Sequence, residues 1–219
     1  MRRLPIYILL DVSGSMRGEP IEQVKYGLDL LMRSLQNDPY AVETVWLSVI
    51  TFALDAQLLF PLSEINGLKI PPLPDPVTSP TNLGEALGLL MDRYALEVRP
   101  STPEQKGDWR PILVLMTDGA PSDVELYRQN VERLKRDFPF ARIVCCAAGP
   151  KAKVEPLRSL ADEISALDTM DASSFSKFWN WVSTSVSCAV QNRVANSQNV
   201  EIEDEDDELP PPPPEIRIL

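Results

Sequence analysis

Asp11, Ser13 and Ser15 alternate in Asp11-Val12-Ser13-Gly14-Ser15, immediately after the apolar run Ile6-Tyr7-Ile8-Leu9-Leu10. A carboxylate and two hydroxyls so spaced at the end of a strand can turn inward around one point. All three offer oxygen and none offers nitrogen or sulfur. Hard divalent cations favour that donor set, and magnesium in particular is held by one or two carboxylates with neutral oxygens and water. Gly14 would let the backbone bend tightly between the serines. The plainer alternative is a polar strand-to-helix turn in which Ser15 or a neighbour caps the helix. Two later segments repeat the chemistry. Thr81, in Pro80-Thr81-Asn82-Leu83-Gly84-Glu85-Ala86-Leu87, places a hydroxyl just before a helical pattern. Ile112 to Thr117 is a buried-strand run that leads into Asp118 and the turn glycine Gly119. Loops at the carboxyl ends of neighbouring parallel strands converge on one crevice, so Asp11, Ser13, Ser15, Thr81 and Asp118 form one candidate ligand set.

The elements that must position these residues alternate in kind. Leu4 to Asp11 is apolar throughout and reads as a central strand buried on both faces. Pro20 to Asn37 carries Ile21, Val24, Leu28, Leu31 and Leu35 at helical spacing. Val42 to Phe52 and Ala56 to Pro61 read as strands joined by a tight turn at Leu54-Asp55, the second an antiparallel edge strand. A proline-rich loop, Gly67 to Pro80, leads to Thr81 and a helix from Leu83 to Leu96. After the strand before Asp118 come a helix from Asp123 to Arg136, a strand from Ala141 to Ala147, a helix from Val154 to Ile164 and a short strand from Ala166 to Thr169. The last helix, Ser173 to Asn192, carries Phe175, Phe178, Trp179, Val182, Val186 and Ala189 as a core stripe. The pattern predicts an α/β fold with a doubly wound, mostly parallel sheet, one antiparallel edge strand and helices on both faces.

Composition narrows the function. The net charge of −11 is concentrated beyond Val200, where eight acidic residues face one basic residue, Arg217. No Lys/Arg-rich patch with interleaved aromatics points to nucleic acid. Histidine is absent, which removes the commonest general base and most zinc and non-haem iron sites. Cys145, Cys146 and Cys188 are sparse and odd in number, as expected of buried reduced thiols in a cytoplasmic protein. Arg2-Arg3 followed by Leu4 to Leu10 is too short for a signal peptide, is interrupted by Pro5 and has no cleavage site. No stretch is long enough to span a membrane.

The three motifs in this order, Asp11-x-Ser13-x-Ser15, Thr81 and Thr117-Asp118-Gly119, resemble the von Willebrand factor type A domain and its metal-ion-dependent adhesion site. The resemblance runs over roughly residues 4 to 192. It implies that Ser13, Ser15 and Thr81 ligate a cation through their hydroxyls and that Asp11 and Asp118 do so directly or through water. Mg2+ is the expected ion, with Mn2+ or Ca2+ as substitutes. The remaining position would take an Asp or Glu carboxylate from a protein partner, with Arg17 and Ala120-Pro121-Ser122 as rim residues. Within the family, Met1-Arg2-Arg3-Leu4-Pro5 and Gly18-Glu19-Pro20-Ile21-Glu22 are similar to the bacterial tellurium-resistance group typified by TerY. That similarity implies an adaptor in a tellurite or chemical-stress system with kinase and phosphatase partners. Other bacterial members of the family imply a co-chaperone that recruits an AAA-type ATPase. A strand-end aspartate with magnesium also describes aspartyl-phosphate phosphohydrolases. Those require a second carboxylate where Ser13 stands and a lysine beside the phosphate, and none lies near Thr81 or Asp118 in the sequence, so no enzymatic activity is expected.

The domain is expected to occupy residues 1–195 and a tail residues 196–219. Glu201 to Glu208 is nearly all acidic and Pro210 to Pro214 is a proline run, neither able to build a core. Glu215-Ile216-Arg217-Ile218-Leu219 alternates apolar and charged residues, so the tail either serves solubility alone or docks its last residues on a sheet edge.

Overall fold

Every residue of Leu4–Asp11 (β1) is buried. Ile6, Ile8 and Leu10 face one hydrophobic cluster and Tyr7 and Leu9 the other, as the two-residue period of a strand covered on both sides requires. The structure, a computed structural model, describes residues 2–149, 152–167, 171–197 and 217–218. After β1 come a short 3-10 turn at Gly14–Met16, the helix Glu19–Asn37 (α1), the helix Pro39–Thr44 (α2) and the strands Val45–Phe52 (β2) and Ala56–Glu64 (β3). Then follow Leu83–Glu97 (α3), Ile112–Thr117 (β4), Val124–Asp137 (α4), Arg142–Ala148 (β5), Glu163–Leu167 (β6), Ala172–Ser197 (α5) and the two-residue strand Arg217–Ile218 (β7).

The sheet order is β3-β2-β1-β4-β5-β6-β7. β2, β1, β4, β5 and β6 run parallel, and β3 is the expected antiparallel edge strand. At the opposite edge β7 adds a second antiparallel pairing, on β6. The chain builds outward from β1 through β2 to β3, then returns to β1's other side and builds outward through β4, β5 and β6. The strand order therefore reverses between β1 and β4, which is where an open α/β sheet leaves a crevice at its carboxyl ends.

One face packs α1 and α5 against the sheet, and the other packs α3 and α4. All six residues of the α5 stripe are buried. Trp179 of α5 lies directly over Gly27 of α1. A Cβ at Gly27 would sit 1.9 Å from the indole Cδ1, so the ring occupies the space a side chain there would need. Glu97 closes α3 at its far end: it accepts from the Tyr7 hydroxyl (3.0 Å) and the Leu62 amide (3.2 Å) and pairs with Arg93.

Two expected elements differ. Val42 to Thr44 belongs to α2 rather than to a strand. Pro39 opens that helix, and the Asp38 carboxylate accepts from the Tyr40 and Ala41 amides (3.0 and 3.3 Å). A proline in the first turn and an aspartate N-cap together stabilise a short helix over β-branched residues. The helix expected from Val154 to Ile164 is only a 3-10 turn at Glu155–Ser159. Asp162 ends it: its amide donates to the Ile143 carbonyl (2.9 Å) and its carboxylate accepts from the Ile143 amide (2.7 Å), which draws the chain onto β5 and starts β6. The acidic and proline runs of the tail lie outside the described residues, as does Thr169.

Candidate functional site

Asp11 closes β1 and Thr117 closes β4, on adjacent parallel strands at the point where the strand order reverses. Asp11 is fully enclosed and both its oxygens have donors: the Ser13 amide gives 2.8 Å to Oδ1, and Thr117 Oγ1 gives 2.6 Å to Oδ2. The hydroxyls of Ser13 and Ser15 are hydrogen-bonded at 3.3 Å, and Ser15 Oγ donates to Asp118 Oδ1 at 2.8 Å. The structure thus links Asp11, Ser13, Ser15 and Asp118 across two strand ends 106 residues apart. Ser15 caps no helix; its hydroxyl goes to Asp118 instead. Thr81 joins from the start of α3. A Cβ built on Gly119 would lie 3.3 Å from Thr81 Oγ1, so the hydroxyl faces the loop that carries Asp118.

The glycines act by what they lack. Neither Gly14 nor Gly119 has a positive φ. Gly14 instead makes room for the Gly67–Pro80 loop, since a Cβ there would be 3.0 Å from Thr78 Cα. That loop pairs Val77 with Ser13 and takes a bond from Arg17 to the Pro76 carbonyl (3.1 Å), which fixes Arg17 at the rim.

Thr81 is held from the Asp118 loop by Ser122, a residue expected at the rim, and by Asp123, expected to begin α4. Ser122 Oγ accepts from the Thr81 amide (3.0 Å), and the Ser122 amide donates to the Thr81 carbonyl (2.8 Å). The Asp123 carboxylate, at the start of α4, accepts from the Gly84 and Glu85 amides of α3 (3.0 and 2.9 Å). Asp123 therefore caps the neighbouring helix, satisfying amides that an α-helix leaves unpaired and placing negative charge at its positive end. An aspartate before a helical run signals a cap, but nothing local says for which helix.

This close approach of α3 to α4 needs Gly84. A Cβ there would meet Tyr127 N at 2.5 Å and Asp123 Oδ2 at 2.6 Å. Overpacking of this kind costs about 1–3 kcal/mol, more than the ~1 kcal/mol that alanine gains over glycine in a helix. Gly84→Ala should therefore lower stability in urea titrations and weaken any metal response through Thr81. Unchanged midpoints would mean that the two helices are free to separate.

Electrostatics favour a cation here. Burial pushes both the Asp11 and Asp118 carboxyls above the usual carboxylate range, against the lowering effect of their hydrogen bonds, and the Asp118 charge raises Asp11 further. Among the described residues neither has a Lys or Arg partner. Two enclosed carboxylates without a counter-charge are costly, and three hydroxyl oxygens beside them complete an all-oxygen set. The residues present fit a hard divalent cation.

The chain belongs to the von Willebrand factor type A domain family, whose model matches residues 6–180. Among curated proteins no sequence matches it. Its fold is similar to that of proximal thread matrix protein 1 from the mussel byssus, in a structure described as having a zinc-occupied MIDAS motif (TM-score 0.59, 16% identity, 84% of this chain and 48% of that one). It is also similar to a von Willebrand factor type A protein from Catenulispora acidiphila (0.63, 15%, 85% and 43%) and to the ArnB paralog VWA2 from Sulfolobus acidocaldarius (0.59, 15%, 84% and 45%). The chain spans about half the length of these proteins or less. At these identities the likeness concerns the fold. No helix among the described residues is long and apolar enough to cross a membrane.

Proposed function

We propose that this chain is a metal-dependent protein-binding module, an adaptor rather than an enzyme. Asp11, Ser13, Ser15, Thr81 and Asp118 hold the cation, Mg2+ in the cell with Mn2+ or Ca2+ as substitutes. The observation that carries this reading is the hydrogen-bonded series Asp11, Ser13, Ser15 and Asp118 at the carboxyl ends of β1 and β4. When bound, the cation supplies an electrophilic position for one further oxygen ligand. Three of the five side chains bring no charge, so the set leaves room for an anionic ligand, an Asp or Glu carboxylate of a partner protein. Thr117 orients Asp11 through its hydroxyl, and Ser122 and Asp123 orient Thr81. Ser13 occupies the position where an aspartyl-phosphate enzyme needs a second carboxylate, which supports binding over catalysis.

The segments Met1 to Pro5 and Gly18 to Glu22 support a finer assignment. By their similarity to the TerY group, the chain would act in a bacterial tellurite or chemical-stress resistance system beside a kinase and a phosphatase. The buried free thiols Cys145 and Cys146 suit a reducing cytoplasm. Affinity capture from the native host with wild type and Asp11→Ala, each with magnesium or with EDTA, tests the reading. Partners should be retained only by wild type with magnesium. The same partners on Asp11→Ala, or in EDTA, would remove the metal from the interaction.

A further inference from the structure

β6 is the last strand of the parallel array. Its inner side pairs with β5 from Val144↔Glu163 to Ala148↔Leu167. Its outer side would present a row of unpaired amides and carbonyls, the usual template for an added strand. Arg217 and Ile218 lie there, antiparallel, in the register Ala166↔Arg217 and Ser165↔Ile218. The other edge of the sheet is closed by the nine-residue β3; among the described residues, this one is covered by two.

We infer that the outer edge of β6 is a strand-accepting surface, filled in cis by the chain's own C-terminus, and that an extended peptide of a partner protein binds there by displacing it. The sequence restricts which part of the tail can do this. Proline cannot donate to a ladder, so Pro210 to Pro214 bars pairing upstream and leaves Glu215-Ile216-Arg217-Ile218-Leu219. Nineteen residues separate Ser197 from Arg217, a span of up to about 60 Å when extended. That length of chain is consistent with Arg217 and Ile218 lying on β6. It also keeps the last residues at an effective concentration in roughly the millimolar range, so a two-residue pairing suffices to cover the edge. So short a pairing is also easily exchanged for a longer one. The matching partner segment is extended, free of proline and able to pair along all of Glu163–Leu167, with recognition carried mainly by main-chain hydrogen bonds. This surface is separate from the candidate metal site.

The test uses the full chain with Arg217→Pro and Ile218→Pro together, which removes the amide facing β6 whichever of the two residues carries it. Hydrogen exchange followed by mass spectrometry should show the segment 163–167 exchanging at least tenfold faster in this variant than in wild type. A fluorescent peptide of sequence Glu-Ile-Arg-Ile-Leu should bind the variant saturably and wild type at least tenfold more weakly. The same peptide with proline at its third and fourth positions should bind neither. Equal exchange in the two proteins, or equal binding of the peptide to both, overturns the proposal. A wild-type dimer that the double substitution converts to monomer overturns the assignment in cis.

Discussion

Magnesium should raise the melting temperature of the wild-type chain, and Asp11→Ala should abolish the rise. A ligand that binds only the folded state at a hundred times its dissociation constant adds about 2.7 kcal/mol. For a domain of this size each kcal/mol shifts the midpoint by about 2–4 °C, so a rise of roughly 5–11 °C is expected. Asp11 is the residue to remove because its oxygens are fixed by the Ser13 amide and Thr117 Oγ1, and it has no room to be replaced by a neighbour. The metal-free variant should not be catastrophically unstable, because the change also removes a carboxylate whose ionised form is disfavoured by burial. Calorimetry with magnesium, calcium and EDTA reads both effects. A magnesium shift that persists undiminished in Asp11→Ala would place the cation elsewhere.

Gly27→Ala should destabilise the wild-type chain and stabilise the Trp179→Ala chain. In wild type, the new methyl carbon would fall 1.9 Å from Cδ1 and 2.2 Å from Nε1 of a fully buried indole. One of the two helices must shift, at a cost of about 1–3 kcal/mol. Trp179→Ala alone should cost roughly 3–5 kcal/mol, as large-to-small changes of aromatic core residues do. With the ring gone, the methyl group has space, and the helix propensity of alanine gives back up to ~1 kcal/mol. The sign of the Gly27 substitution thus reverses between backgrounds, a coupling that a double-mutant cycle in urea measures directly. Additive effects of one sign would mean that α1 and α5 do not meet at this point.

The metal-site candidates were legible because each stands at a break between two kinds of pattern. Asp11 and Asp118 end uninterrupted apolar runs, and Thr81 precedes a helical one; chemistry-bearing residues at such breaks land at the carboxyl edge of a parallel sheet. The α5 stripe was legible for the same reason, since burial imposes a period. Val42 to Thr44 has strand propensity, and a local signal, Asp38 and Pro39 just ahead of it, decides for helix. The rest of what escaped was set by contacts between distant segments. Asp162 reaches back 19 residues to Ile143 and ends a pattern that read as helical. Asp123 bonds amides 38 and 39 residues before it, and Gly27 is small because of a tryptophan in the last helix. No window of neighbouring residues contains those facts.

The clamps on α3 have a kinetic consequence. The helix is pinned at its first turn by Asp123 and at its last residue by Glu97, about 18–20 Å apart at 1.5 Å per residue. It cannot slide along its axis without breaking charge-assisted bonds at both ends. Thr81 would therefore be presented to an incoming ion already in place, and little conformational entropy would be lost on binding. Recognition at this end of the sheet should be limited by encounter rather than by rearrangement, with association rates that fall in inverse proportion to solvent viscosity.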